Sequence, residues 1–524
     1  MLLAMSLARD GSSVCTADGA LLHSGYDPAR EAERFIDSRL GSSKPSSFIL
    51  LGPCLDYLSP IIRRRFPASR IVSLQFSPFF RGRELGSADA TWYPDDPSPV
   101  FSFLDANLGE ELSSGLAVLE WSAASRAFPD IAHGVDRAVR DFLGRHSATA
   151  ATVKASGRSW ILNACRTFLL VEELLEPRPF EGPVVVAMAG PSLEESLSAL
   201  APLRGAFRLV SVSSALSACL ASGLVPDLAI ATDGGFWSRA HLYPLSGREV
   251  PLCMPLTALP SACLSRRSAI LLLDQGSFAE AELLPLLGGG LVLPAHGTVA
   301  GSALTLAARS GQGPVIAAGL DLACRGESEH ARPHGFDQAV GGASRRLRPL
   351  ETSAFARRLE AAPIPVGGGW HGSRSHAVYA AALSQDAASL PGRLHRLNPS
   401  PCPLDGFKPI GARELEGIIM TSHNAYSAMA PLARRAAPPY RDRRAFLGRK
   451  LGEWRSAAEA ACARMAEGLE PDPRIVELLR AFDHPLWAAA RRAAASGADP
   501  RPAALALGAR AMAGIDDIEG RLLS

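Results

Sequence analysis

Four apolar stretches of this chain end in residues able to handle a phosphate, a sugar or a proton. The first, Val184-Val185-Val186-Ala187-Met188-Ala189, runs into Gly190-Pro191-Ser192. Glycine permits close backbone approach, proline fixes the turn, and the serine hydroxyl suits either a helix cap or a phosphate oxygen. The second, Leu228 to Thr232, ends in Asp233-Gly234-Gly235, where the carboxylate would orient a ribose, a sugar or an acceptor, or simply close an Asp-Gly turn. The third, Leu291 to Leu293, leads through Pro294 and Ala295 to His296-Gly297-Thr298-Val299. A histidine there serves acid-base chemistry near neutral pH or packs as a structural imidazole, and Thr298 stands where it would cap the next helix. The fourth ends in Gly319-Leu320-Asp321-Leu322-Ala323 and is followed by Glu327-Ser328-Glu329-His330-Ala331-Arg332-Pro333-His334. Two histidines among acids suit a lid or a metal, but their spacing matches no firm ligand set, so no metal is expected. A metal-bridged nucleotide-sugar site of the D-x-D type is disfavoured too, because that pattern does not occur in the chain.

Elements must place these ends side by side. Strand-like runs recur at Phe48 to Leu51, Arg70 to Leu74, Val184 to Ala189, Phe207 to Val212, Leu228 to Thr232, Ala269 to Leu273, Gly290 to Leu293 and Pro314 to Ala318, separated by helix-length segments or Gly/Pro turns. Such βα alternation with uninterrupted apolar strands predicts a multidomain α/β protein built on parallel, Rossmann-like sheets covered on both faces. Ligands of such sheets bind at the carboxyl ends of the strands, where helix N-termini direct free amides and partial positive charge. Residues from about 110 to 178 have helix composition, and after Pro409 the strand pattern stops. The expected division is 1–110, an N-terminal α/β domain; 111–180, a helical connector; 181–410, a central α/β domain; and 411–524, a helical C-terminal domain broken by prolines near 438, 471 and 500. Gly52-Pro53-Cys54-Leu55-Asp56 echoes Gly190-Pro191-Ser192-Leu193-Glu194, as a duplication or as two independent strand-to-helix turns.

Composition removes several classes of function. The chain has 524 residues, too many for a single binding module, and is 47% hydrophobic and 20% charged, which supports sizeable cores. With 54 basic and 52 acidic residues the net charge is +2, and no global field favours nucleic acid. The 9 cysteines show no C-x-x-C spacing, and the apolar start meets Arg9 and Asp10 without a basic n-region, so the cytoplasm is the expected compartment. Leu283 to Ala308 carries no charged side chain, yet Pro285, Pro294 and the run Gly288 to Gly290 argue for a strand, a turn and a helix instead of a membrane span. The basic cluster Arg434, Arg435, Arg441, Arg443, Arg444, Arg449 and Lys450 reads as a solvated helix face or a surface for an acidic partner.

Taken in order, these stretches resemble the motility-associated factor (Maf) glycosyltransferases, whose central domain is related to the 6-hydroxymethylpterin diphosphokinase MptE-like proteins. The family's G-x-G-P-S-L turn is similar to Ala187 through Leu193, its G-I-x-P-D segment to Gly223-Leu224-Val225-Pro226-Asp227, its G-[ST]-V helix start to Gly297-Thr298-Val299, and its G-x-D-L-A strand end to Gly319 through Ala323. Upstream, Ser24 to Ala32 resembles its S-x-x-D-P-x-x-E-A start and Trp160-Ile161-Leu162-Asn163 its W-x-x-N helix. Alanine at 187 and 189 departs from the small or glycine positions of the turn. The resemblance implies a sialyltransferase-like fold and transfer of a nonulosonic, sialic-acid-like sugar from a CMP donor to serine or threonine of flagellin, with no separate cofactor and no membrane span. Position at the strand ends then suggests a nucleotide-binding set of Gly190, Pro191, Ser192, Ser213, Gly297 and Thr298, and a catalytic set drawn from Asp233, His296, Asp321 and His330, with Asp233 or Asp321 holding the sugar or acceptor and His296 or His330 as base. The rival expectations are diphosphokinase-type pyrophosphate transfer and a non-catalytic scaffold for flagellin or its chaperone.

Overall fold

A computed structural model describes residues 2–41, 43–86, 88–108, 115–260, 269–347, 349–352, 355–356, 363–388, 390, 392–423 and 432–523. The chain divides into two compact units, Met1–Gly157 with Glu453–Asp516, and Arg158–Gly452 with Asp517–Ser524.

In the first unit, β1 (Leu3–Leu7), β2 (Ser13–Ala17) and β3 (Ala20–Leu21) form an antiparallel sheet. A second, wholly parallel sheet has the order β6 (Ala90–Trp92), β5 (Arg70–Leu74), β4 (Ser47–Leu51) and β7 (Leu116–Glu120). Strand β7 corrects the reading of residues 110–178 as helix throughout: Leu-Ala-Val-Leu-Glu is too short to show a period, and only its pairing with β4 identifies it. The helix Pro129–Leu170 fills most of the remaining stretch. Further helices cover Tyr440–Ala466, Pro473–Ser496 and Arg501–Leu522, broken near the expected prolines.

The second unit is built on an 11-stranded sheet. Its strands are β8 (Glu173–Leu175), β9 (Val184–Ala187), β10 (Arg208–Val212), β11 (Leu228–Ile230), β12 (Leu252–Pro255), β13 (Ile270–Asp274), β14 (Leu291–Val292), β15 (Val315–Ala318), β19 (Leu394–Leu397), β20 (Lys408–Ile410) and β21 (Arg434–Ala436). Three short strands, β16 (Cys324–Arg325), β17 (Ile364–Gly367) and β18 (Trp370–Gly372), form a separate antiparallel sheet. The main sheet follows the order β20-β19-β15-β9-β10-β11-β12-β13-β8-β21, with β14 also on β13. All pairs are parallel except β21 with β8. Every residue of β9, β10, β12 and β15 is buried, so these strands are covered on both faces, and all but β10, which carries Arg208 and Ser211, read as continuous apolar runs. At about 1.5–3 kcal/mol for each buried Val, Leu or Ile, this layer is the main stabilising element of the unit.

The expectation that strands end at Pro409 fails at β21. Its residues, Arg434-Arg435-Ala436, carry no apolar pattern because an edge strand paired on one side leaves charged side chains in water. The surrounding basic cluster is engaged within this unit: Arg434 pairs with Glu173 at 3.1 Å, Arg443 Nη1 donates to Phe168 O at 2.6 Å, Lys450 pairs with Glu282 at 2.9 Å, and Arg435 donates to Leu287 O. The 283–308 stretch folds as a helical turn, the strand β14 and the helix Val299–Ser310. Among the described residues, no helix is long and apolar enough to cross a membrane.

Candidate functional site

From β9 the chain moves through β10 to β13 on one side of the sheet and returns at β15 on the other. The ends of β9 and β15 therefore form a topological switch point, the place where open parallel sheets bind ligands. The turn after β9 and the loop after β15 meet there. Gly190 N donates to Gly319 O at 2.9 Å, Ala331 N to Ala189 O at 2.8 Å, and Arg332 N to Glu194 Oε1 at 2.8 Å. The glycines at 190 and 319 follow from this closeness. A Cβ on Gly190 would lie 2.4 Å from Asp321 Oδ2, and one on Gly319 2.3 Å from Met188 O.

Ser192 and Asp321 come together in this crevice. Asp321 Oδ2 accepts the Ser192 amide at 2.7 Å, while its Oδ1 is buried without a hydrogen bond. Burial pushes the Asp321 carboxyl above the usual carboxylate range, opposed by Ser192 and by the Arg396 and Arg325 guanidiniums. The expected helix cap at Ser192 is not formed, and its hydroxyl is left beside the carboxyl without a well-formed hydrogen bond. The amides of Gly190, Ser192 and Leu193 all have protein acceptors, and Glu194 and Glu195 place negative charge on the first helical turn. As a backbone anion nest this turn is already filled. The helix Val299–Ser310 differs: its first turn holds no acid, Thr298 caps it through Gly301 N at 3.1 Å as expected, and the helix packs on β9, β10 and β15. Gly297 precedes that cap, and Ser213, buried, directly follows β10.

A second cluster adjoins the turn. The rings of His330 and His334 stack with centroids 4.3 Å apart and planes at 14°, and His241 stands edge-on to His334 at 4.8 Å and to Phe336 at 4.5 Å. Asp233 and His330 both act electrostatically on His241, so two of the expected catalytic residues share one neighbour. Asp233 Oδ1 also closes its own turn by accepting from Gly235 N at 2.7 Å. That turn is held from outside: Asn163 Nδ2 donates to Gly234 O at 3.0 Å, and Trp160 packs where a Cβ on Gly234 would stand. The W-x-x-N helix thus positions the Asp233 turn. Sequence reasoning missed His241, Arg396 and Ser400. The first lies outside any motif, and the other two follow β15 by more than 70 residues, joined to it only through the pairing of β19 with β15.

His296 is elsewhere employed. Its Nδ1 lies 3.0 Å from Asp386 Oδ2 and its Nε2 3.0 Å from Thr305 Oγ1, so both ring nitrogens have partners beside the start of the helix Val299–Ser310. No group of three or more His, Cys, Asp or Glu side chains that could hold a metal occurs among the described residues.

Burial, followed by the neighbouring His330 and His241, pulls His334 down to about 3. Its pKa is thus lower folded than unfolded, where about 6.5 applies, so the unfolded chain binds more protons and stability falls as the pH drops through 6.5. Between pH 7 and 5 this one ring is expected to cost the unit about 2 kcal/mol. Carboxyls with raised values, such as Asp321 and Glu280, act in the opposite sense, so the comparison must be made against His334→Phe. Denaturant unfolding of both proteins at the two pH values checks this; parallel losses would remove it.

Comparison with known proteins agrees with this architecture. Residues 161–327 match the family described as 6-hydroxymethylpterin diphosphokinase MptE-like. An uncharacterized protein of Treponema pallidum (strain Nichols) is 29% identical over 221 residues, 42% of this chain and 49% of that protein, so the match spans about half the length of this curated relative. The solved structure of the MAf glycosyltransferase from Magnetospirillum magneticum AMB-1 superposes with a TM-score of 0.59 at 12% identity, covering 99% of this chain and 91% of that one. Every motif of the site after Trp160, up to Gly319–Ala323, falls within the family match, and the fold extends far beyond it: residues 161–327 are similar to the MptE-like family, and the chain as a whole shares the fold of a Maf glycosyltransferase.

Proposed function

We propose that this chain is a glycosyltransferase that moves a nonulosonic, sialic-acid-like sugar from its CMP conjugate to serine or threonine hydroxyls of flagellin in the cytoplasm, in support of flagellar assembly and motility. The observation that carries the reading is the convergence of Ser192, Asp321 and the His330 cluster on the switch point of the parallel sheet, in a fold shared with a Maf glycosyltransferase. The N-terminus of Val299–Ser310, with Gly297 and Thr298, meets the donor phosphate through the helix dipole, its first turn holding no acid. The acceptor hydroxyl loses its proton to His330 as its oxygen bonds to the anomeric carbon. The bond from that carbon to the phosphate oxygen breaks, and CMP leaves with its electron pair. Asp233 orients hydroxyls of the sugar or acceptor from the turn after β11, two strands from β9.

Flagellin from cells with and without the gene, compared by mass spectrometry, tests this reading; a difference of one or more nonulosonate masses is expected, and an unchanged mass would sink it. CMP is also expected to raise the melting temperature, which a scaffold without a nucleotide site would not show. The family match at residues 161–327 favours one other activity, pyrophosphate transfer from ATP to a hydroxymethylpterin. AMP release in the presence of ATP and a pterin would establish it.

A further inference from the structure

We infer that Asp321 is a positioning residue, the end of a buried chain from Arg396 and Ser400 that sets Ser192 in the crevice, and not a group that reacts with substrate. This rests on the proposed reading that the donor binds at the switch point beside the turn that carries Ser192. The geometry runs in one direction. Arg396, 4% exposed, lies on β19 and donates from Nε to Leu320 O at 2.7 Å, from Nη1 to Cys402 O at 2.7 Å, from Nη2 to Asp321 O at 3.2 Å and from Nη2 to Ser400 Oγ at 2.7 Å. Ser400 Oγ donates in turn to Asp321 O at 2.6 Å. The backbone of the strand end is therefore clamped by two buried side chains from a neighbouring strand and the loop after it. Only the carboxyl is left to reach across the switch point, and it holds the Ser192 amide at 2.7 Å.

The oxygen that faces the turn, Oδ2, is taken up by the Ser192 amide, and the other, Oδ1, is buried with the rest of a side chain that is only 2% exposed, so the carboxyl is placed to hold the turn and not to meet a substrate. The chain also explains why the segment takes this form: Leu322 is held at a positive φ of 49°, a conformation that an unclamped leucine avoids. Leu320 and Asp321, whose carbonyls the clamp captures, immediately precede it.

The test separates positioning from chemistry. Asparagine keeps an oxygen for the Ser192 amide but cannot act as a base, whereas alanine removes both. In the full chain, Asp321→Ala is expected to speed hydrogen exchange of the Ser192 amide about tenfold or more and to weaken CMP binding about tenfold, the scale of a lost charge-assisted hydrogen bond. Asp321→Asn is expected to keep both within about threefold and to keep turnover, with Ser400→Ala falling between. Loss of turnover in Asp321→Asn with CMP affinity and exchange unchanged would overturn the inference and make the carboxylate catalytic. Unchanged Ser192 exchange in Asp321→Ala would overturn it as well. The exchange measurement needs no nucleotide, so a wild-type chain that fails to bind CMP would defeat the proposed function without touching this result.

Discussion

Replacing His330 by alanine is expected to lower CMP release in the presence of acceptor by 10²- to 10⁴-fold, roughly the contribution of a positioned general base, while leaving stability within about 1 kcal/mol. The ring lies in a loop, half-buried, stacked on His334 and anchored to the turn after β9 by Ala331 N on Ala189 O. His296→Ala is expected to give the opposite pattern. It removes the contacts to Asp386 and Thr305 at the head of the helix Val299–Ser310, so the melting temperature falls and the donor KM rises while kcat changes little. Steady-state kinetics on the two variants decide between the imidazoles. A His330→Ala enzyme with normal kcat, or a His296→Ala enzyme folded and dead, would reverse their roles.

Much of this arrangement was legible in the chain itself. Buried parallel strands announce themselves as Val-Val-Val-Ala or Val-Ile-Ala-Ala, because both faces are covered and no alternation is needed. The turn after each such strand is where ligand chemistry concentrates, so Ser192, Asp233, Asp321 and His330 could be singled out before their neighbours were known. What spacing could not show was which of them meet. His296 follows an apolar strand as faithfully as the others do, yet β14 lies on β13 at the far side of β9, and its ring is captured by Asp386 from a later helix. His241 was invisible because it belongs to a five-residue helix with no motif, and its importance comes from two rings contributed about 90 residues later. The edge strand β21 and its three-residue neighbour β8 escaped for a related reason: short pairings at the border of a sheet depend on the partner and not on an apolar signature. The echo between Gly52-Pro53-Cys54 and Gly190-Pro191-Ser192 gains meaning from topology, since β4, like β9, lies between the strand that follows it and one that returns later. In the first unit the place is filled. A Cβ on Gly52 would meet the Phe76 ring at 2.5 Å and Ala124 at 2.9 Å.

Gly190→Ala is expected to abolish turnover, by at least about 100-fold, and to cost about 3 kcal/mol of stability, the upper range for forcing atoms into a packed site. Flexibility is not the reason, since Gly190 does not adopt a left-handed conformation. The reason is space: the added carbon would stand 2.4 Å from Asp321 Oδ2 and 2.5 Å from Gly319 O, and the second of these is backbone that cannot swing aside. Relief would require the turn to move away from β15, which breaks the bond from Gly190 N to Gly319 O and carries Ser192 N off the Asp321 carboxylate. Gly319→Ala combines a clash at 2.3 Å with Met188 O and a φ of +74°, so it should destabilise at least as much. The pair Gly190→Ala with Asp321→Ala makes the coupling measurable. Removing the carboxylate relieves one of the two clashes, so the double variant should be more stable than the sum of the single losses predicts, by about 1 kcal/mol in a double-mutant cycle. Denaturant unfolding of the four proteins gives the number. Strict additivity would show that the turn and the strand end are not joined through this carboxylate.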